Sequence, residues 1–376
     1  MKHIVIIMVS AMMSFFTRKN DPGEFTYDFT GKKTALPVPA AEKLPSSWKG
    51  FNLLNMFYLK GRNTDTPFNE KEFKMMSDWG FNFARIPVDY RILTRANDWN
   101  KINRSAMRRL DRAIEYGIKY DIHICLNLHR APGYTVASPA ETTNLWTQAK
   151  PQEAFARMWG FIAKHYKNVP HERLSFNFLN EPSGVDEKTY ADVIKKAADA
   201  IRAHDPDRVL IADGLDYGNI PSCLIKELGI AQAARGYAPF PLTHYKADWV
   251  EGSDNFPLPA WPANGQNREW LKNTCIKPWD ELIKNGGGAM TGEWGAHNKT
   301  PHEVVLRWME DNLLNFKEAG MGWALWNLNG SFGVLNSGRS DVNYENYNGY
   351  KLDRKMLNLL QKYLDPHYYP SGIEFR

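Results

Sequence analysis

The sequence predicts a single (β/α)8 barrel, and three features carry that prediction. Eight short runs of β-type composition alternate with stretches of helical spacing, the order of a parallel sheet covered by helices. Eight is the number of strands that closes such a barrel. From Arg85 on the second run to Trp326 on the eighth, six units span 241 residues, about 40 each. That length suits a barrel whose loops carry insertions. The third feature is side-chain parity within the runs. In the third, His123, Cys125, Asn127 and His129 share one face, and Ile122, Ile124, Leu126 and Leu128 share the other. The small or polar set is expected to line the lumen and the bulky apolar set to meet the helices.

The elements follow in order. Residues 1–20 open on Met1-Lys2-His3, continue with an apolar stretch from Ile4 to Phe16, and end on Thr17-Arg18-Lys19. A basic start and an apolar stretch too short to span a bilayer read as a secretory signal. No A-x-A precedes the charged residues, so an uncleaved anchor is the alternative. A secreted or periplasmic protein is expected either way, with no other membrane segment. Residues 21–47 hold four prolines (Pro22, Pro37, Pro39, Pro45) and read as a linker, leaving 48–376 as the barrel.

Candidate strands are Gly50–Leu54, Phe81–Val88, Ile122–His129 and Leu174–Asn180, then Arg208–Ala212, Ala234–Tyr237, Ala289–Glu293 and Gly322–Leu328. Helical spacing covers Phe68–Trp79, Ser105–Tyr116, Ala154–Tyr166, Tyr190–His204 and Glu303–Ala319.

Composition narrows the function. The 376 residues are 43% hydrophobic and 24% charged, which excludes a disordered chain and a fibrous repeat. Forty-seven basic residues against 42 acidic ones leave a charge of +5 with no block of like sign, so no nucleic-acid partner is expected. Three cysteines are too few for a disulfide framework, and neither CxxC nor HExxH occurs. No metal or organic cofactor is expected. Thirteen Trp and 17 Tyr suit a protein that handles flat apolar faces, or one with a large core.

Two runs carry chemistry: Phe178-Leu179-Asn180-Glu181-Pro182 and Thr291-Gly292-Glu293-Trp294-Gly295. Each puts one carboxylate just past an apolar strand, beside a loop-forming Pro or Gly. A glycosidic bond breaks when its leaving oxygen is protonated and an anion meets the oxocarbenium charge, and two carboxyl groups supply both. Any two acidic residues of 42 would ordinarily be surface charges; the position of these two at strand ends favours chemistry.

With those runs, the chain resembles glycoside hydrolase family 5, the cellulase-like retaining β-glycosidases, from about Gly50 to Leu364. The resemblance implies Glu181 as general acid/base and Glu293 as nucleophile. It further implies that Asn180 bonds the sugar 2-hydroxyl and that Arg85, in Ala-Arg-Ile-Pro-Val, holds Glu293 ionised. His129 matches the third-strand histidine of the reactive subsite, and Trp326 the eighth-strand tryptophan under the reactive sugar. His123 is left to the core and Trp323 to packing.

One segment departs from the pattern. The family shows His-x-Tyr at the sixth strand; here Arg235-Gly236-Tyr237 occupies that place, so Tyr237 keeps its role beside the nucleophile and Arg235 stands where His is expected. His244, in the following loop, is a substitute candidate. Trp294, next to the nucleophile, is expected to touch substrate. Trp146, Trp249, Trp261 and Trp270 are weighed between sugar platforms and loop packing.

The expected activity is hydrolysis of β-linked glycans, polysaccharide or oligosaccharide, by a monomer. A non-catalytic carbohydrate-binding barrel and a metal-dependent hydrolase using His123 and His129 are the rivals. Endo and exo attack both stay open.

Overall fold

A computed structural model describes residues 43–59, 66–95 and 98–368. The apolar stretch and most of the proline-rich segment, 1–42, lie outside the described residues. Eight parallel strands close into a barrel: β1 (Lys49–Asn52), β2 (Phe83–Asp89), β3 (His123–Arg130) and β4 (Leu174–Asn177), followed by β5 (Leu210–Asp213), β6 (Ala231–Gly236), β7 (Ala289–Trp294) and β8 (Gly322–Leu325). Each strand pairs with its sequence neighbour, and β1 closes on β8 through Lys49 opposite Trp323. All eight coincide with a candidate run, although β4 and β8 stop earlier than their apolar composition suggests.

The principal helices are α1 (Glu70–Asp78), α2 (Arg104–Lys119), α3 (Ala149–Tyr166), α4 (Glu187–Arg202), α5 (Cys223–Glu227), α6 (Lys277–Lys284), α7 (His302–Glu318) and α8 (Arg354–Lys362). Several start where a short polar side chain satisfies a free amide of the first turn: Asn69 for α1, Asn103 for α2, Asp186 for α4 and Asp353 for α8. Among the described residues, no helix is long and apolar enough to cross a membrane.

Parity divides the core into two layers. Between barrel and helices lies the larger one, with Phe176 and Phe178 of the fourth strand segment against Trp159 of α3. Inside the lumen, Phe83, Cys125, Ile211, Ala231, Ala233, Met290 and Ala324 form a smaller cluster with Leu44 and Trp48. Leu44 falls in the stretch expected to be linker, yet only 9% of it is exposed. The barrel unit therefore begins before Trp48, with Leu44 and Trp48 plugging the N-terminal end.

One irregularity aims the key carboxylate. Met290 faces the lumen, so strict alternation would turn Gly292 inward and Glu293 out. The register instead slips: Ala234 pairs with Thr291 but Arg235 with Glu293, and the β8 pairing slips at the same place. This bulge returns Glu293 to the lumen side. A side chain on Gly292 would crowd Ala233 Cβ at 3.2 Å and the Arg235 guanidinium at 3.1 Å, so glycine fits the bulge with the least disturbance.

Candidate active site

The C-terminal end of the lumen holds a cluster of buried polar groups built from seven strand ends. Arg85 on β2, 1% exposed, is its hub. Its Nε donates to Asn177 Oδ1 (2.9 Å), Nη1 to Asn52 Oδ1 (3.0 Å) and to Glu293 Oε1 (2.5 Å), and Nη2 to Asn180 Oδ1 (3.0 Å). Every branch of the rigid fork is engaged, so the guanidinium cannot rotate away.

Arg235 on β6 is the second cation. Its Nε donates to Glu181 Oε1 at 3.0 Å, and Nη2 donates to Asn180 Oδ1 at 2.8 Å and to Asp213 Oδ2. The same Nη2 lies 3.2 Å from Glu293 Oε1. One guanidinium therefore touches both carboxylates singled out in the sequence, although they stand 112 residues apart.

Glu181 sits past the end of β4 with a left-handed backbone, φ 51°, which costs a non-glycine residue free energy. Two bonds hold it there. Its amide donates to Asp213 Oδ2 (2.9 Å) and its carbonyl accepts from the Tyr134 hydroxyl (2.6 Å). Asp213, fully buried at the end of β5, also accepts from Asn177 Nδ2 at 3.0 Å.

Glu293 accepts from Arg85 and, through Oε2, from the Tyr237 hydroxyl at 3.1 Å. Cations and a hydroxyl donor surround it, as suits an anion. Glu181 is different. Burial first, then the Glu293 charge, raises its pKa to about 7, with Arg235 pulling the other way. The charge count agrees. Two guanidinium groups face Glu181, Glu293 and Asp213, so the buried cluster is neutral when one carboxyl carries a proton. Glu181, with its raised pKa, suits that role. Its Oε1 accepts from Arg235, which leaves Oε2 outside that contact.

Two groups are buried and unpartnered. Asn180 has its Oδ1 fixed by both arginines while its buried Nδ2 has no partner. His129 leaves Nδ1 without a hydrogen bond, 3.9 Å from Glu293 Oε1. Burial, followed by the charges of Arg85 and Arg235, holds His129 neutral well below the usual histidine range. Its ring stacks on Trp326 at 5.6 Å, and Trp326 is partly exposed on the mouth.

His244 lies against this group without entering it. Its ring packs edge-on to Tyr237 (5.2 Å) and stacks on Phe240 (4.1 Å). His244 thus supports Tyr237 and does not take the place of the residue at 235. Contrary to what its place in the sequence suggests, Trp294 does not touch substrate. It is fully buried among Trp308, Phe316 and Trp323, on the helix side of β7, and presents no face to a sugar. Adjacent strand residues face opposite ways, so Glu293 pointing in forces Trp294 out.

Of the loop tryptophans, Trp261 is buried with Nε1 on Asp311 Oδ2, whereas Trp249 is 53% exposed. Asp213 and Asn52 were not anticipated. Asp213 carried a signal, an acid after an apolar run and before Gly214, the same form as Glu293 before its glycine-flanked turn.

Among the described residues, no group of three His, Cys, Asp or Glu side chains could hold a metal ion. His123 and His129 lie at opposite ends of the lumen. Both nitrogens of His123 are occupied, by the Glu172 carbonyl (3.0 Å) and Ser175 Oγ (2.8 Å).

The model of the family described as Cellulase (glycosyl hydrolase family 5) matches residues 40–332. The chain belongs to that family. It is accordingly a glycoside hydrolase. Endoglucanase C of Acetivibrio thermocellus is 27% identical over 75% of this chain and 90% of its own. A crystal structure described as a glycoside hydrolase is 38% identical, covers 84% of this chain and 98% of its own, and superposes with a TM-score of 0.79. Thermotoga maritima Cel5A, solved with a mannotriose substrate, is 22% identical over 84% of this chain and 98% of its own, with a TM-score of 0.70. That last likeness bears on the barrel alone.

Proposed function

We propose that this family 5 enzyme hydrolyses β-1,4-glucan or a closely related hemicellulose by double displacement, with Glu293 as nucleophile and Glu181 as general acid/base. The observation that carries this reading is the pair of carboxylates held by one arginine, Glu181 with its pKa raised to about 7 and Glu293 surrounded by donors. In the first step, a Glu293 oxygen bonds to the anomeric carbon while the bond to the leaving oxygen breaks. That oxygen takes the proton from Glu181 Oε2. In the second step, water bonds to the anomeric carbon and gives its proton to Glu181. The ester bond to Glu293 breaks, and the sugar leaves with its β configuration kept.

The neighbours fit those steps. Asn180 Nδ2, the unpartnered donor, suits the 2-hydroxyl, a bond that strengthens in the oxocarbenium-like transition state. His129 offers its free nitrogen to the same sugar, and the Trp326 ring lies flat enough against His129 to floor that subsite. The relatives named as endoglucanases favour attack on a glucan. A polymer outside the cell also favours export, for which residues 4–16 supply the apolar segment.

The test is product analysis on a panel of polysaccharides, with the anomer of the first product followed by NMR. Reducing ends of β configuration from glucan, together with a fast fall in viscosity, are expected. An α anomer would overturn the double displacement, and cleavage confined to other backbones would overturn the glucan assignment.

A further inference from the structure

We propose that Arg235, anchored by Asp213, is a positioning residue that holds the Glu181 carboxyl and sets the pH at which it passes from acid to base. This rests on the reading of Glu181 as acid/base given above. The family's usual residue here is a histidine, whose charge comes and goes; arginine is permanently charged and brings a rigid fork.

Four observations carry the inference. First, the contact is direct: Arg235 Nε donates to Glu181 Oε1 at 3.0 Å, so one oxygen is pinned and Oε2 is left for the proton in transit. Second, the guanidinium is itself fixed. Nη2 is held by Asp213 and Asn180, and Nη1 donates to the Ala234 carbonyl at 3.2 Å. Third, the backbone beside it leaves room for its stem. A side chain on Gly218 (φ 80°) would meet Arg235 Cγ at 2.7 Å.

Fourth, Asp213 joins the cation and the acid in one unit. It receives the Arg235 fork and the Glu181 amide on the same oxygen, Oδ2. The pair adds no net charge, yet its positive end is turned to Glu181. The other charge acting on Glu181 is that of Glu293 on β7. Arg85 on β2 and neutral His129 on β3 face Glu293 in the same cluster. The remaining groups near it are tyrosine hydroxyls: Tyr134 after β3, Tyr237 after β6 and Tyr58 after β1.

Glu181 must hold a proton at the start of the first step and be free of it for the second. When Glu293 becomes an ester, its negative charge vanishes. Arg235 then stabilises the Glu181 anion without a charge opposing it across the site. A proton given up to the leaving oxygen is thereby not reclaimed from solvent, and Glu181 is ready to take one from water. Arg235 thus lowers the pH needed for the second step, while burial and Glu293 keep the proton on for the first.

The experiment is the pH profile of kcat/KM and kcat for wild type, Arg235→Met, Asp213→Asn and the double variant, on cellohexaose and on dinitrophenyl β-cellobioside. Removing the cation leaves Asp213 uncompensated, so R235M moves the basic limb on cellohexaose up by about one pH unit. D213N leaves the cation unopposed and moves that limb down by a similar amount. The double variant falls between them. R235M also slows the second step, which appears on the dinitrophenyl substrate as a burst of released phenol followed by a slow steady rate.

D213N keeps the size and shape of the side chain, so it reads the effect even should R235M fail to fold. Limbs that stay in place, or move in the same direction in both variants, overturn the proposal. The Glu181→Gln variant separates this from the underlying reading. It must remove the basic limb, and added azide must restore turnover of the dinitrophenyl substrate. Should E181Q fail both tests, Glu181 is not the acid/base and the reading itself falls; should it pass while the limbs stay in place, only the role of Arg235 falls.

Discussion

The two ends of the barrel lumen hold the same residue types in opposite conditions. At the N-terminal end, His123 has both ring nitrogens bonded and its ring stacked on Trp48 at 3.9 Å. Six residues on along the same strand, His129 has an unbonded Nδ1 and faces a carboxylate. Both are buried, and burial is the main cause that holds both neutral, His123 down to about 3. The difference lies in satisfaction. A buried polar group with all its bonds made holds a fold together, while one left open beside the reactive carboxylates is available to a partner. Asn177 and Asn180 repeat the contrast one strand over: the first is bonded through both ends of its amide, the second leaves Nδ2 free.

The largest expected effects break the open end outright. Glu293→Gln should remove measurable turnover, because an amide cannot form the ester. Melting should change little, since the amide keeps the shape that Arg85 and Tyr237 surround. Glu181→Gln should lower kcat/KM on unactivated glucan by about 10²–10⁴-fold, the usual worth of a general acid, and far less on an aryl glycoside whose leaving group needs no proton. In wild type, kcat/KM on glucan should fall as pH rises through about 7, where Glu181 gives up its proton. A profile flat to pH 9 would falsify the assignment of the acid.

The histidine pair tests the comparison more finely. His129→Ala should cost about 10²-fold in kcat/KM, the scale of one lost transition-state donor, with Tm nearly unchanged. His123→Ala should do the reverse. It leaves Ser175 Oγ and the Glu172 carbonyl unpaired beside a cavity, for a Tm lower by roughly 5–10 °C and an unaltered kcat. The sign of the acid response follows from the depressed value. Between pH 6.5 and about 3 the unfolded chain binds a proton at residue 123 that the fold does not accept, so stability drops as pH falls through that window. H123A should lose Tm on acidification with a shallower slope than wild type. Equal slopes, or equal kinetic losses in the two variants, would remove the distinction between the ends.

Much of this is legible in the sequence. The eight runs are visible because each is apolar on at least one face, and Glu181 and Glu293 are visible because each ends such a run. Parity also placed His123 deep and Trp323 among the helices, where Phe81 and Trp294 meet it. The same rule applied to Trp294 gives its burial at once, given that Glu293 points inward. Asp213 was harder. The expected fifth strand stopped at Ala212, one residue short, and an acid next to glycine in a loop looks like any turn. Nor does the partner of Arg235 show in the sequence: four groups meet its fork from β4, β5 and β7, and only closure of the barrel brings them together. The bulge at Gly292 is of the same kind, since register is a property of paired strands.

The smallest effect concerns the rim, where two tryptophans carry the contrast outward. Trp261 is buried, and its indole nitrogen is spent on Asp311 at 2.8 Å. Trp249 is half exposed and packs edge-on to His297 at 5.0 Å and beside Phe332 at 6.1 Å. It also lies 6.3 Å from the His244 ring, which touches Tyr237, which in turn donates to Glu293. An aromatic path therefore leads from the nucleophile to an open indole face, beyond the reach of a single sugar at the reactive centre. Trp249→Ala should raise KM for long glucans by roughly 5–30-fold, the equivalent of about 1–2 kcal/mol of buried ring, and leave kcat unchanged. On a short aryl glycoside that cannot reach the rim, neither constant should move. Trp261→Ala should lower Tm without this dependence on chain length, because its ring already has all the partners it can use. Were the two variants to show the same profile across cellobiose-, cellotetraose- and cellohexaose-based substrates, exposure would not be what sets Trp249 apart, and the long loop after β6 would be packing alone.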